Sequence, residues 1–462
     1  MFGLILTGCG GEAGCSPAGF RYHGRVRYHI VTLGCAKNVA DSERIGRVLG
    51  AGEHVAVTAP ESADVVIVNT CGFIDASKEE SVDRIVGLAA AKRDGQKLVV
   101  AGCLTALHGA ELRREVPEID AVFGAEQWDG IGAWASTVVP LRLDAQRYDL
   151  PEPAPVARPS AYLKISDGCN APCSFCIIPK MKGKLHSTPA DAVVAEARRL
   201  AGEGVREIVL VAQDSTDYGR DLGLRDGLPD LLERLSEAAP DVPWLRIMYA
   251  YPGHVTRRLA ETMARLPNVV PYLDIPLQHA DAGVLRRMRR PSNTGMVREM
   301  FEMLRATLPD IALRTTFIVG YPGETEREFE SLLAFVRETA FDHVGCFTFS
   351  PQSESPAAHE PDQVPERVKR RRQRALMEVA QQVSLIRNRA LVGREIDVLV
   401  ESQREGEGAA LSVGRSWRDA PEVDGLVLLE GDFPPGAMVR ARVREALPYD
   451  LLATPVAAPA AV

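Results

Sequence analysis

Residues 161–179 read AYLKISDGCNAPCSFCIIP, a strand-like segment followed by three closely spaced cysteines. Cys169, Cys173 and Cys176 can bind three corners of a four-iron cluster, which leaves the fourth iron without a protein ligand. The amine and carboxylate of S-adenosylmethionine (SAM) can chelate such an iron. Zinc is the alternative, but zinc sites normally use two separated C-x2-C pairs or histidines, and neither follows here. The stretch therefore predicts a catalytic iron–sulfur cluster.

The central part of the chain, residues 161–385, alternates strand-like and amphipathic helical segments. Its strand candidates are AYLKIS, EIVLVAQ, WLRIMYA, VVPYLDI, ALRTTFIVG and HVGCFTFS. Six βα units predict an incomplete barrel, shorter than the closed barrel of eight units. The proline-rich stretch LPEPAPVARPS at 150–160 predicts a semi-rigid linker before this domain.

Residues 28–149 show the same alternation, which favours a parallel α/β sheet. The apolar runs YHIVTLG, ADVVIVNT and KLVVAG are followed directly by Cys35, Cys71 and Cys103. The carboxyl ends of parallel strands meet at one edge of a sheet, where open α/β sheets bind ligands. Three thiols at that edge predict a second cluster with an open iron. The alternative is that they are ordinary buried cysteines that only pack.

Residues 386–452 change character, because EIDVLVE, GLVLLEG and MVRARVREAL are separated by glycine and proline turns. This pattern predicts a small antiparallel β-barrel. From residue 390 to residue 452 we count twelve acidic and seven basic residues, a net charge of −5. Residues 1–27 are predicted to be a disordered extension and residues 453–462 a disordered tail.

Further residues at strand ends are weaker candidates for contacts with SAM. Glycines let the backbone approach a ligand, and polar side chains after a strand point towards the same mouth. Each also has a structural interpretation, as a plain turn or a packed histidine. The candidates are Gln213, Asp214, Gly320, Gly323 and Glu324, with Gln278 and His279 less favoured; Cys9, Cys15 and Cys346 are predicted to be structural or incidental.

Composition excludes several classes of protein. The chain has 462 residues, 46% hydrophobic and 25% charged, as in ordinary globular proteins. No apolar run approaches the roughly 20 residues that cross a bilayer. Nine cysteines in so long a chain are too few for a disulfide scaffold. A net charge of −8 argues against a surface dedicated to nucleic acid, which is usually basic.

The cysteine pattern resembles a known family. The C-x3-C-x2-C motif is similar to that of radical SAM enzymes, and its pairing with three upstream cysteines resembles the methylthiotransferases, whose C-terminal domain is a TRAM barrel. The strings TLGCAKN at 32–38, NTCGFID at 69–75 and GRSWRDAPEVDG at 414–425 favour one branch. That branch modifies an aspartate β-carbon of small-subunit ribosomal protein twelve. The sister branch modifies an adenosine in transfer RNA, and it stays the alternative.

The resemblance implies two four-iron four-sulfur clusters and two uses of SAM. One SAM methylates a sulfur held at the cluster of Cys35, Cys71 and Cys103, and a second is cleaved to a 5′-deoxyadenosyl radical that abstracts hydrogen from the substrate. It also implies a cytoplasmic monomer that needs a sulfur donor and an electron donor such as flavodoxin or ferredoxin. An iron–sulfur electron carrier is the other class of function, but the central domain is far larger than a carrier needs.

One stretch departs from the family pattern. After the cluster motif the family commonly shows a short arginine-rich run, whereas this chain has KGKLHST at 182–188. Lys182 and His186 keep part of the positive charge, but a lysine cannot make the bidentate contacts of an arginine. The sequence alone therefore leaves the partner of this stretch open.

Overall fold

The computed structural model describes residues 26–125, 127–138, 158–404 and 410–456. They form three consecutive units, each built on its own sheet. The predicted N-terminal extension lies outside the described residues as far as residue 25, the predicted linker as far as residue 157, and the predicted tail from residue 457 onward.

The N-terminal domain is a parallel sheet of five strands in the order β2-β1-β3-β4-β5, as in flavodoxin-like folds. Its central strand reads VVIVNT and is buried along its whole length, as expected for a parallel strand covered on both faces. The prediction of a parallel α/β domain is confirmed. The elements are β1 (Arg27–Thr32), α1 (Ala36–Ala51), β2 (Val55–Ala56), β3 (Val65–Thr70), α2 (Asp75–Ala90), β4 (Lys97–Gly102), α3 (Cys103–Glu115), β5 (Ala121–Gly124) and α4 (Trp128–Val138).

The central domain contains an open parallel sheet of six strands, which confirms the predicted incomplete barrel. Its strands are β6 (Ser160–Lys164), β9 (Glu207–Val211), β10 (Trp244–Ile247), β11 (Val269–Asp274), β12 (Ala312–Val319) and β13 (His343–Thr348), while β7 (Ser166–Asp167) and β8 (His186–Ser187) form a separate antiparallel pair. The helices are α5 (Ile178–Met181), α6 (Ala190–Gly202), α7 (Gly227–Ala238), α8 (Arg257–Arg265), α9 (Ala282–Arg287), α10 (Thr294–Thr307), α11 (Glu326–Thr339) and α12 (Glu366–Arg389).

The two faces of the central sheet bury different partners. Alternate side chains such as Ile208 and Leu210 belong to a large apolar core with the helices. The residues between them, such as Val209 and Val211, pack with Ala40 of α1 and with residues of the C-terminal domain. This period of two is what a strand buried on both faces requires. Both flanking domains therefore contribute to the cover over the inner face of the sheet.

The C-terminal domain is a closed barrel of five strands: β14 (Glu395–Arg404), β15 (Leu411–Arg415), β16 (Val427–Glu430), β17 (Met438–Ala446) and β18 (Leu451–Pro455). β16 and β18 run parallel, and every other pair is antiparallel. The predicted small β-barrel is confirmed, and one of its five strand pairs is parallel rather than antiparallel. A closed ring with an odd number of strands cannot alternate in direction all the way round.

The segment between β15 and β16 docks on the central sheet. Arg415 pairs with Glu207 of β9 at 2.6 Å, and both side chains are essentially buried. At the other end of the segment, Asp424 accepts hydrogen bonds from Arg314 at 3.1 Å and from the Tyr272 hydroxyl at 2.7 Å. The barrel is thus tied to the inner face of the sheet through buried charge.

The structure moves three predicted boundaries. Val26 is buried and β1 begins at Arg27, so the predicted extension cannot reach residue 27. α12 continues to Arg389, because its last turns pack in the core, so a boundary at 385 would divide a helix. β18 continues to Pro455, since Ala453 is buried in the barrel; the tail predicted from residue 453 is therefore wrong for its first residues. None of the described helices is both long and apolar enough to cross a membrane.

Candidate iron–sulfur site

Cys35, Cys71 and Cys103 meet at the carboxyl edge of the N-terminal sheet, because β1, β3 and β4 are neighbours. The sulfurs of Cys35 and Cys103 lie 3.7 and 4.0 Å from the same atom, Asn38 Oδ1. Gly34 has a φ of +101°, and a Cβ there would come within 3.0 Å of Cys71 Sγ. The structure therefore brings together the three cysteines that the sequence placed at strand ends.

Asn38 holds this edge together, and the sequence interpretation missed it. Its Nδ2 donates to the carbonyls of Leu33 at 2.7 Å and Thr70 at 3.0 Å, which joins the loops that follow β1 and β3. Asn69 in turn donates to the Asn38 carbonyl at 2.8 Å. The available signal was that both asparagines fall in the strings around Cys35 and Cys71.

Burial raises the pKa of the Cys103 thiol to about 12, opposed by Lys182 and assisted by the two neighbouring cysteines. A thiol in this environment is protonated at neutral pH when no metal is bound. A metal ion that coordinates a thiol displaces its proton outright. Loading of this edge with iron would therefore release protons.

The second trio lies in the loop before α5. Each sulfur accepts a hydrogen bond at 3.4 Å: Cys169 from the Ala171 amide, Cys176 from the Ile178 amide and Cys173 from Arg290 Nη1. Hydrogen bonds of this kind surround the thiolate ligands of iron–sulfur clusters and tune their potentials.

Ser174 fixes this loop from within. Its amide donates to the Met288 carbonyl at 3.1 Å, and its carbonyl accepts from the Ala357 amide at 2.9 Å. Its hydroxyl donates to the Arg287 carbonyl and hydrogen-bonds with the Tyr321 hydroxyl, both at 2.9 Å. The cysteine loop is therefore held in place by several elements of the central domain.

The donor set fits iron–sulfur clusters better than single zinc ions. Zn–S bonds of 2.3 Å place tetrahedral sulfurs about 3.8 Å apart. Among the described residues, no three cysteine sulfurs lie within 4.8 Å of one another. In addition, Arg290 Nε is buried and finds no acceptor among the residues that the structure describes, so a donor is left over for a bound group next to Cys173. Wider spacing and a spare donor both suit a cluster.

The two trios adjoin each other. Cys103 packs in one small apolar cluster with Ile177, which directly follows Cys176 in the chain, and with Met181 at the end of α5. Two cysteine sites contributed by two domains thus share one apolar contact.

Buried charge surrounds this junction. Lys182, whose side chain is 3% exposed, pairs with Asp41 of α1 at 3.4 Å and with Asp167 at 3.2 Å. Lys164 pairs with the same two carboxylates. Burial alone would raise the pKa of Asp167, but the two lysines hold it well below its usual range. Lys182 is therefore committed to the contact between domains, whereas His186 is exposed on β8.

Comparisons with known proteins assign each domain. The N-terminal domain matches Uncharacterized protein family UPF0004 over residues 27–124, the central domain matches the Radical SAM superfamily over 163–336, and the barrel matches the TRAM domain over 392–456. The chain is 48% identical to the ribosomal protein uS12 methylthiotransferase RimO of Roseiflexus sp. (strain RS-1), covering 94% of this chain and 98% of that protein. The chain belongs to this methylthiotransferase family.

Other relatives agree. The uS12 methylthiotransferase of Chloroflexus aurantiacus is 47% identical, with 92% of this chain and 99% of that protein covered. Among solved structures, the radical SAM methyltransferase TsrM from Kitasatospora setae superposes with a TM-score of 0.53 at 14% identity, over 72% of this chain and 77% of that one, which shows the fold alone. Family membership confirms the predicted enzyme class and its cofactors, SAM and four-iron four-sulfur clusters.

Two predicted SAM contacts of this methylthiotransferase lie at the end of β9. Gln213 Nε2 donates to Asp167 at 2.7 Å, and its buried Oε1 has no hydrogen-bond partner in the described part of the chain. Asp214 accepts from the Thr216 amide at 3.0 Å and pairs with His254 at 2.9 Å. Gln213 thus retains a free acceptor, whereas the Asp214 carboxylate is engaged within the protein. Both stay predictions.

Packing explains part of the turn after β12. Gly320 has a φ of +74°, and a Cβ there would lie 2.3 Å from Lys369 Cγ of α12. Glu324 is buried, and its Oε2 accepts from the amides of Gly320 and Tyr321. Gly323 also has a positive φ, +69°, and its Cβ would meet only an arginine side chain at 3.8 Å. A role of this turn in holding SAM stays a prediction.

Gln278 and His279 differ in solvent exposure. Gln278 is half-buried with a φ of +71°, in a bridge with Phe317 beside the sheet. His279 is buried, and its Nε2 lies 3.7 Å from Glu324 Oε1; neither atom has a hydrogen-bond partner among the described residues. A positive φ at a residue other than glycine, as at Gln278, is a backbone strain that is common at functional sites. Tyr249, which follows β10, also has a positive φ. Lys37 stacks on that tyrosine ring at 3.6 Å.

Proposed function

We propose that this enzyme adds a methylthio group to an aspartate β-carbon of ribosomal protein uS12. The observation that carries the proposal is the contact between the two cysteine trios through Cys103, Ile177 and Met181. Transfer of a sulfur group to an unactivated carbon needs a sulfur-bearing site next to a radical-generating site. Two adjacent cysteine trios can provide one site of each kind.

The residues that would hold the cofactors follow from the geometry. Cys169, Cys173 and Cys176 would hold the cluster that binds SAM, and Cys35, Cys71 and Cys103 would hold the auxiliary cluster. When bound, the first cluster supplies the electron that cleaves SAM homolytically.

The chain's own residues supply position and protection from water. Asn38 orients two of the auxiliary thiols, and Ser174 fixes the loop of the other trio. Ile177 is fully buried between the sites, so water is excluded from their shared contact. The ion pairs of Lys182 hold the two domains at a fixed separation. Radical chemistry benefits from such a dry, rigid site, because side reactions with solvent are prevented.

The charge of the barrel favours a protein substrate over RNA. Arg440, Arg442 and Arg444 alternate along β17, where a phosphate-binding stripe could form. Two of the three are paired instead with their cross-strand neighbours on β14: Arg440 with Asp397 at 3.1 Å and Arg442 with Glu395 at 2.7 Å. Nucleic-acid affinity depends on cations free to neutralise phosphates. An acidic barrel with paired arginines is complementary to a basic ribosomal protein.

We further propose that the enzyme works in the cytoplasm as a monomer, with a sulfur donor and an electron donor such as flavodoxin or ferredoxin. Adjacent cysteine sites require external sulfur and external electrons for each turnover, whereas no second copy of the chain is needed to complete either trio.

The test is an anaerobic reaction of reconstituted enzyme with SAM, sulfide, a reductant and purified uS12. The expected result is that the mass of uS12 rises by one methylthio group less the hydrogen that it replaces, with the change located on an aspartate by fragmentation. Transfer RNA supplied in parallel should stay unmodified. Modification of tRNA adenosine with the mass of uS12 unchanged would reverse the choice of substrate.

A further inference from the structure

Arg290 follows α9 and is held against the loop of Cys173 on three sides. Its Nη1 donates to Cys173 Sγ at 3.4 Å, and its Nη2 donates to the Pro276 carbonyl at 2.6 Å. The guanidinium lies 4.5 Å from the centroid of the Tyr251 ring. A planar group fixed by a thiol, a carbonyl and an aromatic face has little freedom to turn away.

The charge of Arg290 is not neutralised by a nearby carboxylate. Its neighbour Arg287 pairs with Glu328 at 3.0 Å, whereas in the described part of the chain Arg290 forms no such ion pair. The side chains that contact the guanidinium are Cys173 and Tyr251. Its field therefore acts mainly on the cysteine loop.

Reduction of a cluster adds one negative charge to it. A fixed cation and an N–H donor next to a ligand sulfur stabilise that charge and so favour the reduced state. We propose that Arg290 raises the reduction potential of the cluster held by Cys169, Cys173 and Cys176, so that a biological reductant can deliver the electron that cleaves SAM. The inference rests on the proposed function only in that this trio holds a cluster.

Arg290 is not needed to shape the loop. Ser174 anchors the loop independently, through bonds to Met288, Arg287, Tyr321 and Ala357. Removal of the guanidinium should therefore change the electronic environment of the cluster with little movement of its ligands.

The test is a redox titration of full-length Arg290→Gln, followed by electron paramagnetic resonance after anaerobic reconstitution. The expected result is a midpoint potential more negative than that of the parent protein, with a smaller shift in the same direction for Arg290→Lys. The lysine variant keeps the charge but cannot reach both acceptors. Titration in a background with the auxiliary trio replaced by Ala isolates one signal; those residues are Cys35, Cys71 and Cys103.

Arg286→Gln is the matched control, because it removes an equal charge from an exposed position on α9 with no contact to the cysteines. Its potential should equal that of the parent. An unchanged potential in Arg290→Gln with the cluster intact overturns the proposal. If Arg290→Gln does not load iron, the potential of Arg290→Lys tests the proposal instead. A potential equal to that of the parent in Arg290→Lys would then overturn the proposal. Neither titration contains uS12, so a failed substrate assignment would not affect the result.

A kinetic readout separates tuning from damage. The loss of SAM-cleavage rate in Arg290→Gln, relative to the parent, should be several-fold larger with a weak reductant than with a strong chemical reductant. Equal losses with both reductants would mean that Arg290 acts on something other than the potential.

Discussion

Asp41 of the N-terminal domain and Lys182 of the central domain form a buried ion pair at 3.4 Å, next to both cysteine trios. The two side chains come from residues 141 positions apart in the chain. Because Lys164 shares the same carboxylate, removal of Asp41 leaves two buried ammonium groups with Asp167 as their only described acidic partner. The pair therefore fixes the relative position of the two sites.

Asp41→Asn should destabilise the protein by about 3–5 kcal/mol, the usual cost of breaking a buried pair. Chemical denaturation of the apoprotein at neutral pH measures it. Asp129→Asn is the control, because Asp129 is 82% exposed and faces Arg44 at 3.9 Å. That exposed pair should contribute less than about 1 kcal/mol. Equal effects of the two substitutions would contradict a special role for the junction.

Iron content should divide between the two trios. The reconstituted protein should bind about eight irons, four per cluster. Triple replacement by Ala of either trio should halve the iron, and only loss of Cys169, Cys173 and Cys176 should abolish SAM cleavage. Cys346→Ala should keep full iron, because Cys346 is buried in the core between the sheet and its helices. If the iron content did not fall after replacement of Cys35, Cys71 and Cys103, these residues would not hold an auxiliary cluster.

Gly34→Ala should lose the auxiliary cluster. Gly34 combines a φ of +101° with a Cβ position 2.7 Å from Cys71 Cβ, so a methyl group would displace that cysteine. Gly204→Ala is a matched control, since Gly204 has a φ of +80° and open space around its Cβ position. Both should lose about 1–2 kcal/mol from the left-handed backbone. Only the first should halve the iron, measured after equal reconstitution.

Glu207→Gln should show a pH-dependent cost. Burial alone would raise the pKa of Glu207, but Arg246 and Arg415 lower it to about 2. A folded-state pKa below the unfolded value means that the stabilisation is complete at neutral pH and is lost as pH falls from about 5 towards 2. The parent should be more stable than the variant by about 3 kcal/mol at pH 7, the lower end of the usual cost of breaking a buried ion pair.

That difference should shrink steadily in urea titrations performed below about pH 4.5. Exposed Glu430→Gln should leave stability within about 0.5 kcal/mol at every pH. A difference that does not change with pH would mean that the charge on Glu207 is not what stabilises the junction of barrel and sheet.

The cysteine trios were predictable because each follows a strand, and parallel strands bring their ends to one edge. The six strands of the central sheet were predictable from short apolar runs alone. The long-range contacts around those cysteines were not predictable from the sequence. Arg290 reaches Cys173 across 117 residues, and Lys182 reaches Asp41 across 141, so no local period records either contact.

Two further features of the structure lie beyond what the sequence pattern indicates. Only three of the five barrel strands were recognised, so the odd count that requires a parallel pair was hidden. Gly320 and Glu324 are predicted SAM contacts because they follow a strand, and this stays a prediction. The same glycine is also required where α12 packs against the turn, a contact with Lys369 that the sequence pattern does not show.

The docking of Arg415 and Asp424 on the central sheet has a consequence for biosynthesis. Glu207 and Arg314 acquire these partners only after residue 424 has left the ribosomal exit tunnel, more than two hundred residues after Glu207 was made. Until then, part of the inner face of the sheet stays open. If iron is delivered during translation, the central domain is therefore still accessible from the inner face of its sheet. Folding of the barrel would then cover that face after the iron has been bound.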